Sequence, residues 1–341
     1  MSNRQFSRRQ CLRAGLAGSA AVAAPAILSR PARAAEFSYK LATTIPADHP
    51  LNQHARKAAK AIATQSGGRL QIDVFPDYQL GSSSSSLSQL REGSIELVTL
   101  SGSVLSTLVP VTTIYNTAYA FADYDQVWRA MDGSLGDYLR KRISGAGIYA
   151  FDKHWDLGFR QITASKPIMS PEDLRGLKIR VPVAPLFLAA FKALGASPTA
   201  INFDELYTAL QTKIVDGQEN DLINIRVGRL YEVQKYCSMT GHIWDGYFTL
   251  ANSQALHDLP DDLRGILESN LNTEAVAERE TVKQTMVTVR EELAKSGLSF
   301  VEPDRATFRA ELSKSGFYAE TRTKFGKEAW ELLEATVGPL A

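Results

Sequence analysis

Cysteine is almost missing from this 341-residue chain, which has only Cys11 and Cys237. Cys11 falls in an N-terminal stretch that reads as removable, so one thiol remains and no internal disulfide is possible. The fold must rest on its core even in an oxidising compartment. Enzyme signatures are missing too. No two glycines stand four apart, which excludes a Gly-x-Ser-x-Gly nucleophile elbow. There is no phosphate loop ending in Lys-Ser or Lys-Thr and no dinucleotide fingerprint. The five histidines, His49, His54, His154, His242 and His257, are scattered, with no Cys cluster and no His-Glu-x-x-His spacing. They are expected at the surface or at helix caps, and neither a metal nor a cofactor is expected. These gaps lower the odds of cofactor chemistry without excluding an enzyme.

Residues 1–34 contain no acidic residue but six arginines, Arg4, Arg8, Arg9, Arg13, Arg30 and Arg33. An Ala/Gly run from Ala14 to Leu28 follows the first four and leads to Ala32-Arg33-Ala34, the small-x-small pattern of a signal peptidase site. Cleavage after Ala34 is expected. Ser7-Arg8-Arg9-Gln10-Cys11-Leu12 is similar to a twin-arginine export signal, with Cys11 where Phe is commonest. The run is too short and too rich in small residues to span a bilayer, and no later apolar stretch approaches 18 residues. Removing six of the 38 basic residues leaves 32 against 37 acidic ones, net −5. That balance offers no footprint for nucleic acid or an anionic membrane. The expected location is the periplasm, with no direct membrane insertion.

What is present is an alternation of short strands and helices. Phe37–Ala42, Leu70–Phe75 and Ile95–Leu100 read as strands, and Leu51–Gln65 has helical spacing stopped by Gly67-Gly68. The pattern restarts with Leu177–Val181, a helix over Leu186–Leu194, another over Glu205–Thr212 and a strand beginning at Ile214-Val215-Asp216. Two βαβ series predict an α/β protein of two lobes, each on a parallel, doubly wound sheet. Neither Gly nor Pro occurs between Gly265 and Gly297, which predicts a helix of about 30 residues, roughly 45 Å long and able to run behind both lobes. The other reading is two helices broken near Asn272-Thr273. The expected organisation is a signal over 1–34, a first lobe of 35–157 with about 246–285, and a second lobe of 158–245 with about 286–341.

Several motifs stand in register. Gly158-Phe159-Arg160-Gln161-Ile162-Thr163 precedes Lys166-Pro167-Ile168, and Pro171-Glu172-Asp173-Leu174-Arg175-Gly176-Leu177-Lys178-Ile179-Arg180-Val181-Pro182 follows. Gly195-Ala196-Ser197-Pro198, Ala209-Leu210-Gln211 and Val215-Asp216-Gly217-Gln218-Glu219-Asn220 come after, and Pro76-x-x-Gln79-Leu80-Gly81 lies upstream. In this order the chain resembles the solute-binding proteins of tripartite ATP-independent periplasmic (TRAP) transporters, the DctP-type family, from about Phe37 to the C-terminus. The resemblance implies a two-lobed periplasmic-binding-protein fold with a ligand cleft between the lobes and a long helix spanning both. It implies a small carboxylate ligand and delivery to TRAP membrane permease subunits. It also implies Arg180 as the carboxylate clamp, supported by Arg160 and the amide of Asn220.

The chemistry of the residues agrees. Arg180 interrupts an apolar strand just before its carboxyl end, where ligand crevices of open α/β sheets lie. Its guanidinium offers two parallel donors to a carboxylate and stays charged. Thr44 and Ser101 follow predicted strands, Phe203 precedes a helix, and Trp155 and Trp244 are candidates for an aromatic wall that favours a ring-containing acid. Glu219 either binds a ligand hydroxyl or pairs with a base. Two other functions stay open at this point. One is a periplasmic sensor presenting its closed form to a receptor kinase. The other is an exported lyase or isomerase that uses the two arginines as an acid clamp.

Overall fold

The computed structural model describes residues 34–340, so the predicted export signal and its arginine pair lie outside the described residues. Six strands form the first sheet: β1 (Phe37–Thr43), β2 (Leu70–Phe75), β3 (Leu97–Ser101), β4 (Ile148–Ala150), β5 (Trp155–Phe159) and β11 (Trp244–Asn252). Their order is β2-β1-β3-β11-β4, with β5 also paired to β11. The second sheet has β6 (Gln161–Ala164), β7 (Lys178–Val181), β8 (Ser197–Ala200), β9 (Gly217–Asn220), β10 (Tyr236–Ser238) and β12 (Ser299–Val301). Its order is β12-β10-β6-β9-β7-β8. These two sheets, each covered by helices, are the two lobes.

The parallel pairing expected from the βαβ alternation holds for β1 with β2 and β3, and for β7 with β8 and β9. The sheets are nonetheless mixed. β11 runs antiparallel to β3, and β6 runs antiparallel to β9. The reason is that the chain does not finish one lobe before starting the other. It leaves the first sheet at the end of β5, turns through Arg160 into β6, and comes back between β10 and β11. Returning strands enter against the grain of those already laid down.

Amphipathic alternation builds the elements. In β2, Leu70 and Ile72 are buried and the intervening Gln71 is exposed. The helix Pro50–Gln65 buries Leu51, Ala55, Ala58 and Ile62 against that sheet and the long helix. The strand expected at Ile214 begins instead at Gly217. Ile214 is 61% exposed, and Lys213 has a φ of 62°, so this stretch is a turn. The strand itself, Gly-Gln-Glu-Asn, is entirely buried and polar.

The long helix runs unbroken from Asp261 to Lys295, through Asn272 and Thr273. At 1.5 Å per residue it extends about 52 Å. Leu263, Leu267, Leu271 and Ala275 pack in the core of the first sheet, and Val289 and Leu293 in that of the second. The C-terminal stretch expected on the second lobe crosses back over the first. Helix Lys327–Val337 lies against Tyr124–Met131 and Ser134–Ser144, and the Tyr318 hydroxyl donates to the Ala118 carbonyl at 3.0 Å. Apolar surface left on those first-lobe helices explains the return, with Trp330 and Leu333 filling it.

Candidate functional site

A cavity lies between the two sheets at the carboxyl ends of their parallel strands. Ser101 ends β3, Arg180 is the penultimate residue of β7, and Asn220 ends β9. All three line the cavity, as do Phe203, at the start of helix Phe203–Gln211, and Arg160, at the crossing between sheets. Contacts from the two sides meet above it. The Tyr78 ring stacks on Phe203 at 6.3 Å, and the Ser84 hydroxyl donates to Asn202 Oδ1 at 3.1 Å.

The two arginines, alike in the sequence, differ in their surroundings. Arg160 is 3% exposed and held by carboxylates from both sheets. Its Nε and Nη2 donate to Glu219 on β9 at 2.5 and 2.9 Å, and its Nη1 donates to Asp245 on β11 at 3.0 Å. Nη2 also reaches the Glu219 carbonyl at 2.8 Å. Burial opposes the charge, but Glu219 and Asp245 outweigh it and hold the guanidinium above its ordinary pKa. Burial likewise pushes Glu219 up, yet the Arg160 charge and the His242 ring nitrogen at 3.3 Å keep it below the usual carboxylate range. Burial raises Asp245, against the opposing pull of Arg160. Glu219 thus pairs with a base.

Arg180 is equally buried, but among the described residues it has no carboxylate partner. Nε donates to the Ile201 carbonyl at 2.8 Å, the guanidinium sits 5.9 Å from the Phe203 ring, and neither terminal amino group makes a hydrogen bond among the described residues. Burial, together with Arg160 nearby, pulls its pKa down to about 10, so it is charged at neutral pH. A buried guanidinium with two free donor groups facing a cavity has the chemistry to receive an anion. The Asn220 amide beside it donates only to Gln218, at 3.2 Å.

Three sequence candidates fall outside the cavity lining. Trp155 and Trp244 are 0% and 1% exposed and belong to the core. The indole of Trp155 donates to Thr249 at 2.6 Å, and that of Trp244 to Asp156 at 2.9 Å. Trp244 is wedged among Tyr115, Phe121 and Trp128. The aromatic wall, and the ring-containing acid it favoured, lose their basis. Thr44 is also turned inward, its hydroxyl donating to the Thr99 carbonyl at 3.2 Å. The histidines are not chiefly on the surface either. His49, His54, His154 and His242 are buried, and of these only His49 caps a helix.

The residues missed by sequence reasoning include Asp245, Tyr78, Tyr247 and Asn224, which line the cavity. Asp245 sits at a β-bulge, where the register of β11 against β5 shifts between Asp245 and Gly246. Bulges re-aim side chains, and this one turns Asp245 to the crossing arginine. Gly246 permits it, since a Cβ there would come within 2.5 Å of the Trp244 ring and 2.7 Å of the Trp155 carbonyl. Tyr78 was within reach of the sequence. It follows Pro76-Asp77 in a motif already singled out, and Asp77 and Tyr78 both adopt positive φ, near 54° and 57°. That tight turn throws the phenol over Phe203.

Two sheets joined by crossing strands, with an unpaired cation in the cavity between them, define a two-lobed binding protein. The chain belongs to the bacterial extracellular solute-binding proteins of family 7, the DctP family, whose family model matches residues 41–319. An uncharacterised protein of Sinorhizobium fredii is 35% identical over 89% of this chain, which spans 58% of that longer relative. Among solved structures, a sugar acid binding protein of Advenella mimigardefordensis in complex with galactonate superposes with a TM-score of 0.85. It is 26% identical, over 89% of this chain and 99% of that one. A TRAP periplasmic solute-binding protein of Sulfurospirillum deleyianum with bound succinate gives 0.84, also at 26% identity and with the same coverage.

Proposed function

We propose that this chain captures a small organic acid in the periplasm, performs no chemistry on it, and delivers it to a TRAP-type membrane permease. The carrying observation is Arg180, a buried guanidinium with two free donor groups in a cavity walled by both lobes. The galactonate and succinate found in similar structures are both carboxylates, which supports the reading. Each charge-assisted hydrogen bond is worth on the order of 1.5–3 kcal/mol. Two of them supply roughly 3–6 of the about 8 kcal/mol that a micromolar Kd requires, and the remaining contacts of a closed, water-excluding cleft supply the rest. A ligand that bridges both walls favours the closed arrangement by its differential affinity, and the closed face is what a permease would recognise.

The test is thermal melting of the purified protein and of Arg180→Ala against a panel of organic acids. A ligand at a hundred times its Kd stabilises the native state by about 2.7 kcal/mol, roughly 4 °C for a chain of this size. The shift is expected in the wild type and absent in the variant. No shift with any acid, or an equal shift in both proteins, would remove the arginine clamp.

A further inference from the structure

Resting on that reading, we infer that the ligand carries a single carboxylate and a hydroxylated body, and that Asp245 is the residue that rejects a second carboxylate. The argument is a count of charge. The charged residues lining the cavity are Arg160, Arg180 and Asp245, with Glu219 directly behind Arg160. Arg160 is met by two carboxylates, so that trio carries one net negative charge, and Arg180 brings the sum to zero. A monocarboxylate seated on Arg180 meets the one cation without a protein partner. A dicarboxylate has to place its second charge beside Asp245 and Glu219 with no cation left to receive it. Asp221, buried just beyond and accepting from Asn224, adds to the negative side.

The rest of the lining suits hydroxyl groups. Ser83, Ser101, Ser103, Tyr78 and Tyr247 line the cavity; Ser101, Ser103 and Tyr247 already donate to Asp245, Ser101 and the Thr44 carbonyl, so these three offer acceptor oxygens. Asn224 is 4% exposed, and its Oδ1 has no partner, which leaves an acceptor for a ligand O–H. The aromatic residues at the cavity are Phe203, Tyr78 and Tyr247; Phe203 and Tyr78 stack on each other, and Trp155 and Trp244 are in the core. Asp245 itself is fully engaged, with Oδ1 accepting from Ser101, Asn116 and the Gly246 amide, and Oδ2 from Arg160. Its charge is therefore fixed in place at the cavity wall.

Titration calorimetry with galactonate, succinate and orotate on the wild-type protein tests this directly. Galactonate is expected to bind at least tenfold more tightly than either of the others, the discrimination one charge-assisted contact supplies (~10-fold or more). Asp245→Asn keeps the shape and the hydrogen bonds from Ser101 and Asn116 while freeing part of the Arg160 charge. It is expected to improve succinate binding about tenfold relative to galactonate. Succinate matching galactonate in the wild type, with both abolished by Arg180→Ala, overturns the charge count and leaves the carboxylate clamp standing. Orotate matching galactonate overturns the hydroxylated body. An Asp245→Asn protein that folds, as judged by its melting curve, and keeps the wild-type preference overturns the role of Asp245. The wild-type panel decides the class of ligand without the variant, and the variant decides the role of Asp245.

Discussion

Removing Arg160 and removing Arg180 should have very unequal consequences for the unliganded protein. Arg160→Ala leaves Glu219, 0% exposed, and Asp245, 2% exposed, as uncompensated buried carboxylates, with only His242 still reaching Glu219. Breaking a buried pair in this way costs about 3–5 kcal/mol. At roughly 1.5 °C per kcal/mol for a chain of this size, Tm falls by about 5–8 °C. Arg180→Ala removes a desolvated cation that has no carboxylate partner. The lost bond to the Ile201 carbonyl and the contact with Phe203 are offset by relief of that desolvation, so the change should stay within about 1 kcal/mol. The assay is urea and thermal unfolding of both variants without ligand, followed by circular dichroism. Replacing the trio together, as Arg160→Met, Glu219→Gln and Asp245→Asn, should recover most of the loss, because no lone charge remains. The reasoning is refuted if Arg160→Ala melts within about 3 °C of the wild type, or if Arg180→Ala falls as far as Arg160→Ala.

Two further outcomes follow from the crossing strand β5. Burial lifts the Asp156 carboxyl to about 7, with Asp221 adding to the effect, and Glu278 opposite it is also raised by burial. A raised carboxyl binds its proton more tightly in the folded state, so its contribution is complete below pH 4 and is lost as pH climbs toward 7. Asp156→Asn, whose side-chain oxygen still accepts from Trp244, should therefore flatten the decline in stability between pH 5 and pH 8 by on the order of 2 kcal/mol. Urea midpoints at the two pH values check it, and an unchanged slope counts against it. Gly158 has a φ of 99°, and a Cβ there would lie 2.7 Å from Met286 Cε and 3.3 Å from the Tyr124 hydroxyl. Gly158→Ala should cost about 1–2 kcal/mol, and trimming Met286 to Ala as well should not restore it, because the backbone strain persists.

The legible parts of the fold were those where hydrophobic period and backbone chemistry agree. β1, β2 and β7 alternate or run apolar to a proline, and the long helix announces itself by thirty residues free of Gly and Pro. β9 was misplaced because its strand is Gly-Gln-Glu-Asn, whose burial comes from pairing with Arg160 and Thr163 rather than from apolar side chains. The positions of Arg180, Asn220, Phe203 and Ser101 follow from strand ends. The partners of Arg160 do not, since Asp245 arrives from 85 residues away through a bulge that no local pattern encodes. For the tryptophans, sequence gives the size of the ring but not which side of β5 and β11 it faces.

The unbroken helix behind both lobes has a mechanical meaning. It is a beam clamped at each end: Thr281 is still tied to His54 of the first lobe, and Val289 is already set in the core of the second. Met286 also packs on that second core, so the free span from Thr281 is five residues, about 7.5 Å. A helix bent to a radius of about 60 Å, the tighter limit of ordinary curvature, turns through only about 7° over that length. Within the span, the Thr285 hydroxyl donates to the Thr281 carbonyl at 2.7 Å, so a carbonyl whose backbone bond lengthens on flexing already has a second donor. Swings of several degrees are thus elastic and self-reversing. Any wider opening of the cleft has to shear the beam out of one of its two sockets.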